Sequence, residues 1–266
     1  MVKTLLHFTN LSLAAGDVPL LRDLTGSIPR GKMVAIAGAS GAGKTTLLRC
    51  LSGLNGGFTG SINFLDQPME QWSARRMASH RSYLPQNEQV SAGWSCLDVV
   101  QLGLVPIRDS SLRNALTPAA GDLALIEEVL ALTGLSVFSH RLFHTLSGGE
   151  KRRILFARAL LQNRDIMFLD EPTAFFDPGQ ALRFWNLLSE IHTKSQSSIV
   201  VVTHDLQAIL NSFQEVLLLH RGSLMATGDP KKVLTEHGEK AFGVSLSIGE
   251  DPSWGCFIKT RGNRHP

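Results

Sequence analysis

Apolar residues recur in two rhythms along this chain, and the switches between them mark out its elements. Residues 4–13 and 19–28 carry short apolar stretches separated by Gly16 and Asp17, which predicts two paired strands at a sheet edge. Met33–Ala37 is wholly apolar and of strand length. Beyond it Leu47, Leu48, Leu51 and Leu54 fall at helical spacing. Asn55–Gly60 is a glycine-rich turn, followed by a strand at 61–65. Residues 87–165 read as mostly helical, interrupted by the polar, proline-bearing stretch 106–122. Ile166–Leu169, Ser198–Val202 and Glu215–Leu219 return as apolar strands, the last pairing with 223–227 as a hairpin across Arg221-Gly222. The tail from Gly249 to Pro266 is rich in Gly, Pro and charge and is expected to be loosely held. This order predicts an α/β fold with an antiparallel β edge. A helical lobe at about 87–165 is expected between core segments 1–86 and 166–245, with 246–266 as a C-terminal tail.

Composition narrows the class. The 266 residues suit one large domain, or one domain with a subdomain. With 43% hydrophobic and 18% charged residues the chain can build a large core, which argues against global disorder. Lys plus Arg exceed Asp plus Glu by only 26 to 23, too little to point to nucleic acid. Cys50, Cys96 and Cys256 lie far apart and fit no zinc spacing, so a thiol-tolerant cytosol is the expected setting. No apolar run reaches the roughly 18 residues of a membrane span. The N-terminus lacks the core of a signal peptide, so the chain is expected to be soluble or held at a membrane by a partner.

The chemistry starts where the third strand runs into Gly38-Ala39-Ser40-Gly41-Ala42-Gly43-Lys44-Thr45-Thr46. Gly38, Gly41 and Gly43 allow a backbone path that a Cβ would obstruct, and that path turns successive N–H groups inward as an anion nest. The helix that follows adds the positive end of its dipole. Lys44 is placed to reach the β- and γ-phosphates, and the Thr45 hydroxyl to meet magnesium. Strand, glycine loop and helix in succession imply a nucleoside triphosphatase of P-loop type. Ile166–Glu171 ends a buried strand in two carboxylates, at the sheet edge where ligands lie in open α/β folds. Asp170 is the expected magnesium partner, through water, and Glu171 is positioned to polarise an attacking water. Leu146-Ser147-Gly148-Gly149-Glu150 opens a helix that carries Ile154, Leu155, Ala157 and Leu160 on one side. Taken alone it is either a capped helix start or a second anion-binding start serving a different molecule.

Together with Tyr83-Leu-Pro-Gln86, Phe168-Leu-Asp-Glu-Pro-Thr173, Asp177 and Val202-Thr-His-Asp205, these motifs resemble the nucleotide-binding subunit of an ABC transporter, over about residues 4–245. The resemblance implies a RecA-like P-loop core with an inserted helical subdomain, ATP and Mg2+ as ligands, and ATP hydrolysis. It gives Gln86 a place beside magnesium, the nucleophilic water and the permease-facing surface. It gives Asp177 a contact with the opposite subunit and His204 a contact with the γ-phosphate. It also implies two motor subunits packed head to tail, Ser147, Gly148 and Gly149 of one closing the cradle of the other. Transmembrane permease subunits and, indirectly, a substrate-binding protein complete the expected partners, with no nucleic acid. The setting this implies is peripheral, on the cytoplasmic face of the inner membrane.

The sequence departs from the family at several points. The aromatic residue that stacks on adenine is expected at Ala15, which cannot stack, so weak discrimination between ATP and GTP is expected. Glu150 stands where Gln is commoner, and Phe175-Phe176 are bulkier than usual before Asp177. Either the phenylalanines pack in the dimer interface or they fill the core. Asp66-Gln67-Pro68 through Trp72-Ser73-Ala74, Ala78–Arg81 and Phe242-Gly243-Val244 resemble the ATPases of metal-chelate importers, which carry cobalamin, siderophores or haem. Residues 87–105, with Val90, Trp94, Leu97, Val99 and Val100, are expected to line a groove for a permease helix. An ABC exporter motor and a non-transport ABC ATPase are the alternatives.

Overall fold

The computed structural model describes residues 4–105, 120–162, 165–251 and 255–261. These fall into two compact units, Met1–Trp72 with Trp185–Pro266, and Ser73–Phe184.

In the first unit β1 (Thr4–Ala15) and β2 (Val18–Pro29) pair antiparallel, and β4 (Thr59–Phe64) joins the other side of β1. A two-residue turn at Leu65-Asp66, both at positive φ, leads into β5 (Gln67–Pro68), as a tight hairpin demands. A second sheet centres on β3 (Met33–Ala37), parallel to β8 (Ser198–Val202) on one side and β9 (Glu215–His220) on the other. All five residues of β3 and of β8 are buried, which explains why these strands read as unbroken apolar runs rather than alternating ones. β10 (Ser223–Gly228) returns from β9 across Arg221-Gly222, the expected hairpin.

Helix α1 (Lys44–Leu51) buries Leu47, Leu48 and Leu51. Leu54 does not continue that face: it lies past the helix end and is exposed. The reason is local. Gly53 turns left-handed, its N–H bonds to the Cys50 carbonyl and the Leu54 N–H to the Arg49 carbonyl, a Schellman closure that takes the chain off the helix axis.

The C-terminal tail is ordered where it is described, contrary to the expectation of a loosely held segment. β11 (Ser245–Asp251) and β12 (Gly255–Arg261) pair antiparallel, and pack on α8 (Pro230–Phe242) and α7 (Leu206–Ser212) respectively. The glycines that suggested looseness serve close approach instead. The Phe257 ring covers Gly249, where a Cβ would lie 2.4 Å from it, and the Asn211 side chain lies against Gly255, 2.6 Å from where a Cβ would be.

The second unit holds α2 (Ala74–Ala78), β6 (Arg81–Leu84), α3 (Cys96–Gln101), α4 (Ala120–Leu132), α5 (Gly148–Leu161) and β7 (Ile166–Asp170). β6 and β7 pair in parallel, and α5 packs on α3, α4 and β6. Of the polar stretch 106–122, the described residues 120–122 already belong to α4, and the rest lies outside the described residues. Helix α5 is not one-sided: Arg152, Phe156, Ala159 and Leu161 are buried along with the four apolar residues expected. Val99 and Val100 are fully buried, so they line no surface groove; Val90, Trp94 and Leu97 are half-buried. Helix α6 (Pro178–Ser195) links the two units along the chain.

Candidate functional site

The glycine loop joins β3 to α1 as its sequence requires. Gly38, Gly41 and Gly43 all take positive φ, at 147°, 75° and 97°. Crowding adds to the requirement at two of them: a Cβ on Gly38 would lie 2.3 Å from the Leu219 carbonyl, and one on Gly43 2.9 Å from that of Leu20. The loop is held from behind by the hairpin turn after β9, since the Gly222 N–H donates to the Ala42 carbonyl at 3.1 Å. Ala42 and Lys44 are buried, Ala39, Thr45 and Thr46 half-buried, and Ser40 and Gly41 exposed. The Lys44 ammonium donates to the carbonyls of Gly38 and Ala39, at 3.0 and 2.8 Å, so its charge lies inside the curl of the loop. His204 sits in the same unit, exposed on the short turn between β8 and α7. Its neighbour Asp205 caps α7 through the Ala208 N–H and accepts the Trp185 indole N–H at 2.9 Å, which fixes the turn.

The second unit gathers the two loops carrying Gln86 and Glu171. Gln86 Nε2 donates to Glu171 Oε2 at 2.9 Å, although 85 residues separate them. Asp170, one residue earlier, is buried to 1% exposure. Glu171 itself has φ +47°, a left-handed conformation rare for a residue with a side chain. Arg152 of α5 reaches both loops and donates to the backbone carbonyls of Pro85, Gln86, Asp170, Glu171 and Pro172. Arg158, further along α5, makes a two-pronged ion pair with Glu88.

The start of α5 is a complete capping box. The Ser147 hydroxyl accepts from the Glu150 N–H, and the Glu150 carboxylate accepts from the Ser147 N–H at 2.8 Å. Those bonds from the Ser147 backbone and side chain hold the Glu150 carboxyl below its ordinary range. Glu thus performs here the capping role open equally to Gln. Ser147 and Gly148 are exposed at this helix start and Gly149 is half-buried. Phe175 stands beside them, 72% exposed and at φ +72°; a Cβ on Gly148 would touch its ring at 3.3 Å. Phe175 therefore fills no core of this chain, whereas Phe176 is half-buried and meets Phe184 edge-on. Asp177 caps α6 through the Gln180 N–H at 2.8 Å.

Sequence reasoning missed Arg152 and the Glu88–Arg158 pair. The run Lys151-Arg152-Arg153 reads as a solvated charge patch, and only the periodicity of α5, which places Arg152 among buried positions, hinted otherwise. No cluster of three His, Cys, Asp or Glu suited to a transition metal exists among the described residues. Magnesium asks for less: one or two hard oxygen donors beside substrate phosphates, with water filling the rest. The Thr45 hydroxyl and the buried Asp170 carboxylate are donors of that kind.

Three comparisons bear on this site. A family model described as ABC transporter matches residues 21–174. The chain is 30% identical over 263 residues to the petrobactin import ATP-binding protein of Bacillus anthracis, covering 97% of this chain and 95% of that one. It is 31% identical over 257 residues to a hemin import ATP-binding protein of Photobacterium profundum, covering 94% and 89%. Among solved structures, an inward-facing transporter assigned to the metal-chelate type aligns over 97% of both chains with a TM-score of 0.80; at 22% identity that likeness concerns the fold alone.

Proposed function

From the premise that this chain belongs to the ABC transporter family, we propose that it drives import of a metal chelate across a membrane. It is an ATP-binding and ATP-hydrolysing subunit. Glu171, Gln86 and His204 serve hydrolysis, and Gly38–Thr46 bind nucleotide. Ser147, Gly148 and Gly149 close the cradle of a second copy. Thr45, Gln86 and Asp170 would hold magnesium, which would neutralise charge on the phosphates. The observation that supports hydrolysis is the 2.9 Å hydrogen bond from Gln86 to Glu171, which brings the expected water-orienting amide beside the expected base. The import reading rests on relatives that are named import ATP-binding proteins and match nearly the full chain.

The chemistry is placement and electrostatics. The loop N–H groups and Lys44 fix the β- and γ-phosphates. Gln86 orients the water, Glu171 takes its proton, and as the water oxygen bonds to the γ-phosphorus in line the bond to the β–γ bridging oxygen breaks, leaving ADP and phosphate. Released phosphate weakens the contact between protomers, and they separate. No described helix is long and apolar enough to cross a membrane. Transmembrane permease subunits would supply the pathway, with this subunit peripheral on the cytoplasmic side. A substrate-binding protein would choose the solute.

The tagged chain, purified from detergent extract of its source membranes, should bring down a multi-spanning permease. Reconstituted with that permease, it should support ATP-dependent uptake of a siderophore, haem or cobalamin. ATP-dependent efflux, or recovery with nucleic acid in place of a membrane protein, would overturn the import reading.

Nucleotide choice follows from one position. Ala15 is exposed at the end of β1, opposite Val18, which is 62% exposed, and β2 runs from there to Leu20 against the glycine loop. Ala15 and Val18 are both aliphatic, so a base that reaches them gains no aromatic stacking from either. ATP and GTP should therefore bind within about fivefold of each other, and Ala15→Tyr should tighten ATP by about 1–3 kcal/mol, the scale of base stacking on aromatic side chains. A titration in which the unaltered chain refuses GTP would show that another group reads the base.

A further inference from the structure

We infer that Arg152 is the positioning residue of the hydrolytic step, the group that clasps the loop of Gln86 to the loop of Glu171 beyond the paired ends of β6 and β7. The inference rests on the roles given above to Glu171 and Gln86.

The guanidinium of Arg152 is buried, with the residue 3% exposed. Such a cation ordinarily demands a carboxylate partner. Its hydrogen bonds instead go to five backbone carbonyls. Nε donates to Pro172 at 3.3 Å, Nη1 to Pro85 and, at 3.1 Å, to Gln86, and Nη2 to Asp170 and, at 2.9 Å, to Glu171. A guanidinium has five N–H bonds in a fixed plane, so its donor set matches this ring of acceptors, and an ammonium with three donors does not. Burial draws its pKa down to about 10, opposed first by Asp170 and then by Glu171, so it stays charged at neutral pH.

The five carbonyls belong to two segments only, 85–86 and 170–172. Within the second, Arg152 grips the carbonyls before, at and after the residue with φ +47°. A left-handed glutamate persists only where its surroundings over-determine it, and this grip supplies that. The same plane holds the Gln86 carbonyl, so where the β6–β7 ladder ends at Leu84 and Leu169 one rigid group takes over and holds the two backbones at the spacing that lets Gln86 reach Glu171. Arg152 also lies about one and a half turns into the helix that starts at Ser147. An anion or partner docking at that start therefore bears on both loops through a short stretch of helix.

The test is steady-state ATP hydrolysis by the purified full chain, with nucleotide affinity and melting temperature measured in parallel. Arg152→Gln should lower kcat by about 30- to 1,000-fold while KM for ATP stays within about threefold. Arg152→Lys should restore part of that loss, keeping the charge and some of the bonds. In a Glu171→Gln background, Arg152→Gln should lower the residual rate by no more than about twofold, since it acts through Glu171. Near-normal kcat in Arg152→Gln, or a loss that multiplies in the double variant, overturns the role of Arg152 and leaves that of Glu171 standing. Near-normal kcat in Glu171→Gln alone overturns the reading of the site, and this inference with it. Should Arg152→Gln fail to fold, Arg152→Lys carries the test: a folded Lys variant with full kcat overturns the inference, and one with reduced kcat and unchanged KM supports it.

Discussion

Replacing Glu171 with Gln should leave ATP binding intact and slow turnover by about 10²- to 10⁴-fold, the range for loss of a general base. The substitution is nearly isosteric. The amide oxygen at position 171 can still accept the Gln86 N–H that now lies at 2.9 Å, and the backbone at φ +47° is still gripped by Arg152. What disappears is the basicity that draws a proton from the attacking water. ATP should then hold two protomers together without being consumed. Size-exclusion chromatography with ATP and magnesium should show a persistent dimer, and phosphate release should fall to the residual rate. Turnover within a few-fold of the unaltered chain would remove Glu171 as the base.

Ser147→Arg should have the second-largest effect, and for a different reason. Ser147 is exposed and lies on a helix start, not in the glycine loop of its own chain. Loss of its hydroxyl cap costs about 1 kcal/mol, which a chain of this size should register as a shift of about 2–4 °C in melting temperature. The new guanidinium, however, fills the place where the partner's nucleotide would meet the helix N-terminus. Each protomer should bind ATP as before, while hydrolysis falls by about 10²- to 10³-fold, as when donors to a developing anion are removed. Ser147→Ala separates the two effects, because it deletes the cap without adding bulk or charge. A strictly monomeric Ser147→Arg preparation that hydrolyses ATP at full rate would falsify the shared site.

The functional motifs were legible because their geometry is local. Gly38, Gly41 and Gly43 take the positive φ values that their lack of a Cβ invites, and the Ser147–Glu150 box is a bond between residues three apart. The strands that read as unbroken apolar runs, β3, β7 and β8, are buried at every residue, as that pattern requires. Misreadings arose where a residue type carries two meanings. Glycine in the tail suggested looseness, yet Gly249 makes room for the Phe257 ring. Val99 and Val100 looked like groove walls, because an apolar residue facing a partner and one facing its own core look the same in a sequence. The same ambiguity divides two adjacent aromatics, Phe176 half-buried against Phe184 and Phe175 exposed.

By itself, then, the amino-acid order determined the buried strands 33–37, 166–170 and 198–202, the phosphate loop, the capped helix start and the two carboxylates, since each depends on side chains within a few residues and on backbone freedom. Only the tertiary structure decided that Gln86 meets Glu171 across 85 residues, and that Arg152 is a buried clasp instead of a surface charge. The physical reason is that a buried cation is permitted only where acceptor oxygens, here backbone carbonyls, converge on it. The convergence of residues 85–86 with 170–172 belongs to the packing of helix and strands, and no local pattern encodes it.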